Sequence, residues 1–362
     1  MMLDAIAALC LALAQAWGGV PPSALQDPPR LAAFGEPLSA PSLLGLTDEE
    51  LRARVETDLP SLGSLSIGTP GGGRLLNAVE LAADPRWEIP PSALSWGTHE
   101  TMAAIEAAVE TVRGVFPDTP PIFVGDISNP EGGRLKRHET HQAGRDVDFG
   151  FYYQPGKERW FSAGTKENLD LERNWALVRA LVVYTDVERI LLDTRIQRLL
   201  YRYALSVGED KVWLDRVFQV GAGARDAIVR HVKGHRTHYH VRFFNPVAQE
   251  LGRRAHPFLV QAGLVAPPVY TIPHVVRQGQ TIGHLARRYG VSAAAIRQAN
   301  GLRGNNLRAG RVYRIPMRTP APPPEPVVVP LRLLPPDTPA ALSAIDWPTS
   351  AAGGGSAAAG DR

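Results

Sequence analysis

Cysteine is almost absent from this sequence: one residue, Cys10, stands in 362. With no second thiol there is no intrachain disulfide framework and no thiolate zinc cluster, so a bound metal must be held by nitrogen and oxygen. Leu9 precedes Cys10, and the small residue that a lipoprotein cleavage site requires is therefore missing. Dense Lys/Arg runs are also lacking. With 39 basic against 36 acidic residues the chain offers no polyphosphate track, which excludes nucleic acid as the expected partner. Neither G-x-S-x-G nor S-x-x-K occurs, so the sequence does not read as an acyl-serine peptidase. The N-terminal apolar run, Ala5 to Ala14, is too short to cross a bilayer, and no integral membrane span is expected.

What is present describes a globular chain. At 44% hydrophobic and 21% charged residues, its length predicts about two domains. The run from Ala5 ends in Ala14-Gln15-Ala16, the core and small-residue cleavage pattern of a secretory signal over residues 1–16, although Asp4 stands where Lys or Arg is usual. That places the expected destination outside the cytoplasm, in the periplasm or the cell wall. Residues 17–60 read as a leader or linker, 61–245 as the main domain, 246–272 as a connector, 273–317 as a second small domain and 318–362 as a Pro-rich, disordered tail.

Ahead of the main domain, Thr47 and Glu50 make a capping box before a short helix. The glycines of Gly68 to Arg74 lack a following Lys-Ser/Thr and read as a turn. Met102, Ile105, Val109 and Val112 recur at helical spacing between Thr98, a cap, and Gly114, a stop. A buried strand is expected to end at Asp126. Helices are expected over "LERNWALVRALVVY", "RIQRLLYRYAL" and "RDAIVRHV", and strands over "VERILL" and "HYHVRFF". Strands and helices mix without regular alternation, which favours an α+β domain built on an antiparallel sheet.

Five of the ten histidines fall in two windows: His138 and His141, then His235, His238 and His240. The first window nearly spells H-E-x-x-H, but its histidines are three apart and not four, so a helical zinc-protease site is excluded. Read as a strand, "RDVDFGFYY" puts Asp146, Asp148, Gly150 and Tyr152 on one face and Val147, Phe149, Phe151 and Tyr153 on the other. In "THYHVRF" the same alternation groups His238, His240 and Arg242. Catalytic zinc takes three protein ligands and keeps one position open, and His141, Asp148 and one of His238 or His240 would supply them. Each of these side chains alone is an ordinary core or surface residue; the convergence is what points to a metal.

The segments "GDISNPEGGR", "HETHQAGRDVD" and "HRTHYHVR" resemble the penicillin-insensitive murein endopeptidases, of the wider lysostaphin, D-Ala-D-Ala peptidase and hedgehog group, over about Gly63 to Phe244. The resemblance implies that His141, Asp148 and His240 hold one zinc ion, with His238 beside it. It implies further that His138 and His235 line the site, and that the bond cut is between D-alanine and a diaminopimelate side chain. His238 is the candidate for taking a proton from water or stabilising the oxyanion, with His235 second and Glu139 a solvated runner-up. Arg134 is a candidate for meeting an acidic group of the peptide stem. Disulfides common in that group have no counterpart here, nor does a second downstream Asp/His pair.

"VVRQGQTIGHLARRYGVSAAAIRQANG" resembles a lysin-motif (LysM) domain, with Gln280 where Asp is usual and His274 where an aromatic is common. Such domains bind glycans containing N-acetylglucosamine. The combined expectation is a zinc endopeptidase that cuts peptidoglycan cross-links while its second domain holds the glycan. A D,D-dipeptidase or carboxypeptidase of the same group, or a peptidoglycan-binding protein without activity, are the alternatives.

Overall fold

The computed structural model describes residues 43–223, 225–267, 271–317 and 325–336. The expected signal peptide, most of the leader and the end of the tail lie outside the described residues. The chain divides into two compact units. One holds the described residues up to Ala255 together with those from Val327 onward; the other runs from His256 to Pro326.

The first helix, α1 (Asp48–Thr57), starts at the expected capping box: the Glu50 amide donates to the Thr47 hydroxyl at 3.2 Å, and the Thr47 amide donates to the Glu50 carboxylate at 2.8 Å. The glycine-rich stretch is the turn of a hairpin, β1 (Leu65–Thr69) and β2 (Gly72–Leu76), with Thr69 opposite Gly72. A Cβ on Gly73 would sit 2.6 Å from the Ile67 and Thr69 carbonyls and 2.8 Å from Ala143. This glycine serves close packing against the histidine loop, not a phosphate. The hairpin braces that loop, since the Gln142 amide donates to Pro70 and the Ser66 hydroxyl to Ala143. Short strands β3 (Val79–Glu80), β4 (Trp87–Glu88) and β5 (Trp96–Gly97) follow.

Helix α2 (His99–Val115) is capped by Thr98, whose hydroxyl accepts from the Thr101 amide, and it buries Ile105, Val109 and Val112 as the spacing predicts. It passes the expected stop at Gly114 by one residue and ends ahead of Pro117. Strand β6 is only Ile122–Phe123, shorter than the expected strand to Asp126. Strand β7 (Asp146–Phe149) likewise ends before Gly150 and Tyr152; the Gly150 amide turns to the Phe123 carbonyl and the Tyr152 amide to the Asn174 side chain. Helix α3 (Leu171–Tyr184), capped by Asp170, is buried from Asn174 to Val183. Strand β8 (Val187–Leu191) and helix α4 (Thr194–Ser206) follow as expected, and helix α5 (Lys211–Val217), capped by Asp210, was not anticipated.

The segment "RDAIVRHV" is not a helix. It forms strand β9 (Val229–Arg230), parallel to β8. The open edge of β8 decides this: its Ile190 amide takes the Ile228 carbonyl at 2.9 Å and the Leu192 amide takes Arg230 at 2.9 Å, a demand that adjacent Ile228 and Val229 meet better than a helix lacking an apolar repeat. The central sheet therefore runs β7-β10-β8-β9, with β10 (Tyr239–Phe243) antiparallel to both neighbours and one parallel pair at the edge. The expectation of a wholly antiparallel sheet is corrected to a mixed one. Val147 and Phe149 of β7, with Tyr239, Val241 and Phe243 of β10, are buried in the core cluster that also holds α2 and α3. Each such side chain contributes about 1.5–3 kcal/mol on burial.

Residues 246–272 include helix α6 (Pro246–Gln261), which begins on a proline at its first position. Glu100 caps it from α2: its carboxylate accepts from the Val247 and Ala248 amides at 3.0 and 2.8 Å. Among the described residues no helix is long and apolar enough to cross a membrane.

The second unit contains β11 (Thr271–Val275), α7 (Ile282–Tyr289), α8 (Ala293–Asn300) and β12 (Val312–Pro316), with β11 and β12 antiparallel. Thr281 and Ser292 cap the two helices, and Gly290, left-handed at φ 65°, ends α7. Val276, Ile282, Leu285, Ile296, Tyr313 and Ile315 make its core. The two residues that depart from the LysM pattern bond each other: the His274 ring faces the Gln280 side-chain oxygen at 2.9 Å and the Tyr289 hydroxyl at 2.8 Å.

Burial pushes the Glu100 carboxyl up to about 7, against the two amides that favour its charge. The folded state thus keeps a proton that the unfolded chain releases above its ordinary 4.5, so stability falls as pH rises from about 4.5 to about 7 and levels off beyond. Thermal melting across that range should show the downward slope, and Glu100→Gln should flatten it; an unchanged slope in the variant would refute the assignment.

Candidate metal centre

Antiparallel pairing of β7 with β10 sets His240 directly opposite Asp148 and Arg242 opposite Asp146. The strand period of two puts the acids and the imidazole on the face turned away from the core, as the sequence pattern anticipates. His141 reaches the same place from the preceding loop, where it holds a left-handed φ of 63°, uncommon for a residue with a side chain. The Asp146 carboxylate fixes that turn by accepting the His141 backbone N–H at 2.9 Å.

Three donor atoms meet here. His141 Nε2 lies 3.2 Å from Asp148 Oδ1, His240 Nδ1 lies 3.2 Å from the same oxygen, and the two nitrogens are 3.0 Å apart. All three side chains are buried. Zinc–nitrogen bonds of about 2.0–2.1 Å in a tetrahedron separate donors by roughly 3.3 Å, so the residues present fit such an ion.

The outer nitrogens decide the proton positions. His141 Nδ1 faces the Ile127 carbonyl at 3.0 Å and must donate to it, and His240 Nε2 faces Asp146 Oδ1 at 3.2 Å and donates likewise. The inner nitrogens of the neutral rings are then lone pairs pointing at each other and at a carboxylate. Asp148 Oδ1 is buried with no aligned hydrogen bond, although imidazole nitrogens stand at 3.2, 3.2 and 3.7 Å. Facing acceptors around an orphaned carboxylate oxygen are reconciled by a cation, or by protonating a ring. Without a cation the second outcome applies: burial opposes charge, yet Asp146 and Asp148 push the His240 imidazole up to about 9. Asp148 is itself held well below the usual carboxylate range, burial being outweighed by His141, His240 and His238.

His138 is half-buried above this trio. Its Nε2 pairs with Asp126 Oδ2 at 2.9 Å, which raises its pKa, and its Nδ1 stands 3.8 Å from Asp148 Oδ2. The donor atoms of His138, His141 and Asp148 all lie within 4.8 Å of one another, a second, looser trio sharing two members with the first. His238 Nε2 is 3.7 Å from Asp148 Oδ1, with Nδ1 against the Thr237 hydroxyl at 2.9 Å. Burial pushes its pKa down to about 4, so the ring is neutral at neutral pH. The His235 ring lies tilted 5.1 Å from His238 and edge-on 5.7 Å from His240, and burial lowers its pKa also. Glu139 is exposed. Arg134 is exposed in its turn, and no ion pair or hydrogen bond joins it to the histidines.

Two residues to which the sequence reading gave no role belong to the site. Asp126 holds His138 and also accepts from the Leu94 amide at 2.9 Å. Asp146 is buried and binds the His141 backbone, the His240 ring and, at 2.6 Å, Arg242 Nε. Its place on the acidic strand face was legible, since it precedes Asp148 by two. Asp126, a lone acid in a loop, carries no periodic signal.

Asp146→Asn should weaken metal binding by roughly 10–100-fold, because it takes the anchoring charge from the His240 ring. Competitive titration with a chromophoric zinc chelator measures this, and an unchanged affinity would contradict it.

Comparison with known proteins agrees with the motifs. No curated protein matches the chain. The LysM domain profile matches residues 274–316, and the profile described as penicillin-insensitive murein endopeptidase matches residues 66–263.

Proposed function

The chain belongs to the penicillin-insensitive murein endopeptidase family, whose profile covers more than half of it, and from that premise we propose that it is a zinc endopeptidase cutting the peptide cross-links of peptidoglycan. The observation that carries this reading is the trio of buried donor atoms spaced 3.0–3.2 Å apart. His141, Asp148 and His240 would hold the ion in preference to the looser set containing His138, because His138 already spends one nitrogen on Asp126 and its other stands 3.8 Å from the nearer Asp148 oxygen. The fold proposed for the peptidase unit is that of the lysostaphin, D-Ala-D-Ala peptidase and hedgehog group. The bond proposed is the one between D-alanine and a diaminopimelate side chain.

Bound zinc supplies Lewis acidity, polarising the scissile carbonyl and bringing the pKa of a water toward about 7. The rest is done by the protein's own groups. His238, neutral and 3.7 Å from Asp148, takes the proton from the attacking water at Nε2 and returns it to the departing amine. Thr237 orients that ring through Nδ1. His235, packed against His238, is the second candidate for the proton. His138, whose pKa is raised by Asp126, donates to developing negative charge on the carbonyl oxygen. No side-chain nucleophile enters, in keeping with the missing serine motifs.

The LysM domain holds N-acetylglucosamine-containing strands, and tethering raises the local concentration of cross-links. An enzyme on this substrate works outside the cytoplasm, in the periplasm or at the cell wall.

Purified murein incubated with the zinc-loaded protein should lose cross-linked muropeptide dimers and gain monomers. Chelation, or His240→Ala, should abolish the change by at least about 10³-fold, the order expected on losing the group that activates water. Binding to murein with no cleavage at full zinc loading would refute the reading.

A further inference from the structure

The histidine cluster is bordered by apolar side chains that the chemistry above does not use. Leu94, Phe161 and Val232 are exposed by 37, 55 and 36%, and each is one contact from the cluster. The Leu94 amide donates to Asp126, the Val232 carbonyl faces the His235 ring, and the Phe161 ring lies on His238 at 5.1 Å and an interplanar angle of 19°. Apolar surface left open beside buried polar chemistry is the usual composition of a ligand cleft.

Phe161 is the most unusual of the three. It is one of three non-glycine residues with positive φ among those described, at 60°, and another is His141. A bulky side chain in this region is strained and persists only where its surroundings impose it. Here they do. Trp160, the residue before, packs on Phe123 at 5.9 Å and covers Gly125 so closely that a Cβ there would lie 2.5 Å from the indole. Gly125 in turn donates its amide to the Asp148 carbonyl at 2.7 Å. On the other side the Ser162 carbonyl accepts from the Tyr153 hydroxyl at 2.8 Å, and the Gly164 amide donates to Arg236 at 2.8 Å. The segment is thus fixed at both ends, and its strain is spent on holding a half-exposed phenyl ring flat against His238.

We propose that Phe161 is a specificity-determining residue: its exposed ring face is the apolar wall against which the peptide stem packs, taking an alanine methyl and the adjoining amide plane next to the scissile bond. The inference rests on the reading that this site cleaves stem peptides. Its chemistry follows from the ring's position: Phe161 lies flat on the His238 ring and is 55% exposed, so it offers open apolar surface directly beside the imidazole assigned to the water proton. An aromatic face binds methyl groups and amide planes without demanding a charge.

The test is steady-state cleavage of a purified cross-linked muropeptide dimer by zinc-loaded protein. Phe161→Ala and Phe161→Gly should each raise KM roughly tenfold, with kcat within about twofold, the size expected for one lost apolar contact. Phe161→Gly also relieves the left-handed backbone, so its melting temperature should not fall, which separates the ring from the strain. Phe161→Tyr should restore KM, zinc content should equal that of the parent in all variants, and Leu205→Ala, an exposed apolar residue of α4, serves as the control. Unchanged KM in both ring-deleting variants would overturn the proposal. A parent protein that holds zinc yet leaves dimers intact would instead remove the functional reading, and this inference with it.

Discussion

The pairing of β7 with β10 is the constraint on which the site depends. His240 stands across from Asp148 because two strands of period two meet in one register, with Val147, Phe149, Tyr239 and Val241 turned to the core and the polar set turned away. A slip of one residue would bury carboxylates in the apolar layer and set valine where the imidazole belongs, so the hydrophobic core and the donor geometry enforce each other. The core that holds the sheet together is thereby also what aims these donor atoms.

Burying two carboxylates among several imidazoles is costly unless each charge is answered. Asp146 answers by joining the backbone of the His141 loop, the His240 ring and Arg242 in one network, and it fixes which nitrogen of His240 carries the proton. Asp148 has no comparable set of donors, only ring nitrogens that do not align with it. The same neighbourhood thus contains one acid satisfied by the protein and one that a cation would satisfy. The β1–β2 hairpin and the Asp126–His138 pair steady the loop from outside, so the strained His141 turn is held from several directions.

Much of this was legible in the sequence because it is periodic. Alternation within "RDVDF" and "THYHVRF" gave the strand faces, and the helix caps at Thr47, Thr98, Thr281 and Ser292 stand where the Ser/Thr side chains predict. What escaped follows from tertiary demand. The "RDAIVRHV" segment became β9 because β8 needed an edge partner, which no local pattern announces. Asp126 and Phe161 act from loops, where position comes from packing and spacing says nothing. Two misses had signals in place: Asp210 before "KVWLDRV" is a capping residue, and Pro246 is a helix-opening proline.

The second unit shows how substitutions away from a family pattern are absorbed. His274 and Gln280, both unusual for a LysM domain, meet each other and Tyr289, so the polar groups introduced at the two positions satisfy one another while Thr281 still caps α7. The capping and the small apolar core fix the fold of this domain.

In the proposed site His141, Asp148 and His240 together hold the metal. Anomalous diffraction at the zinc edge from crystals of the zinc-loaded protein tests it most directly. One peak is expected about 2.0–2.2 Å from His141 Nε2, an Asp148 carboxylate oxygen and His240 Nδ1, with His138 outside bonding distance. A peak bonded to His138 in place of His240, or no peak within this cluster, would contradict it.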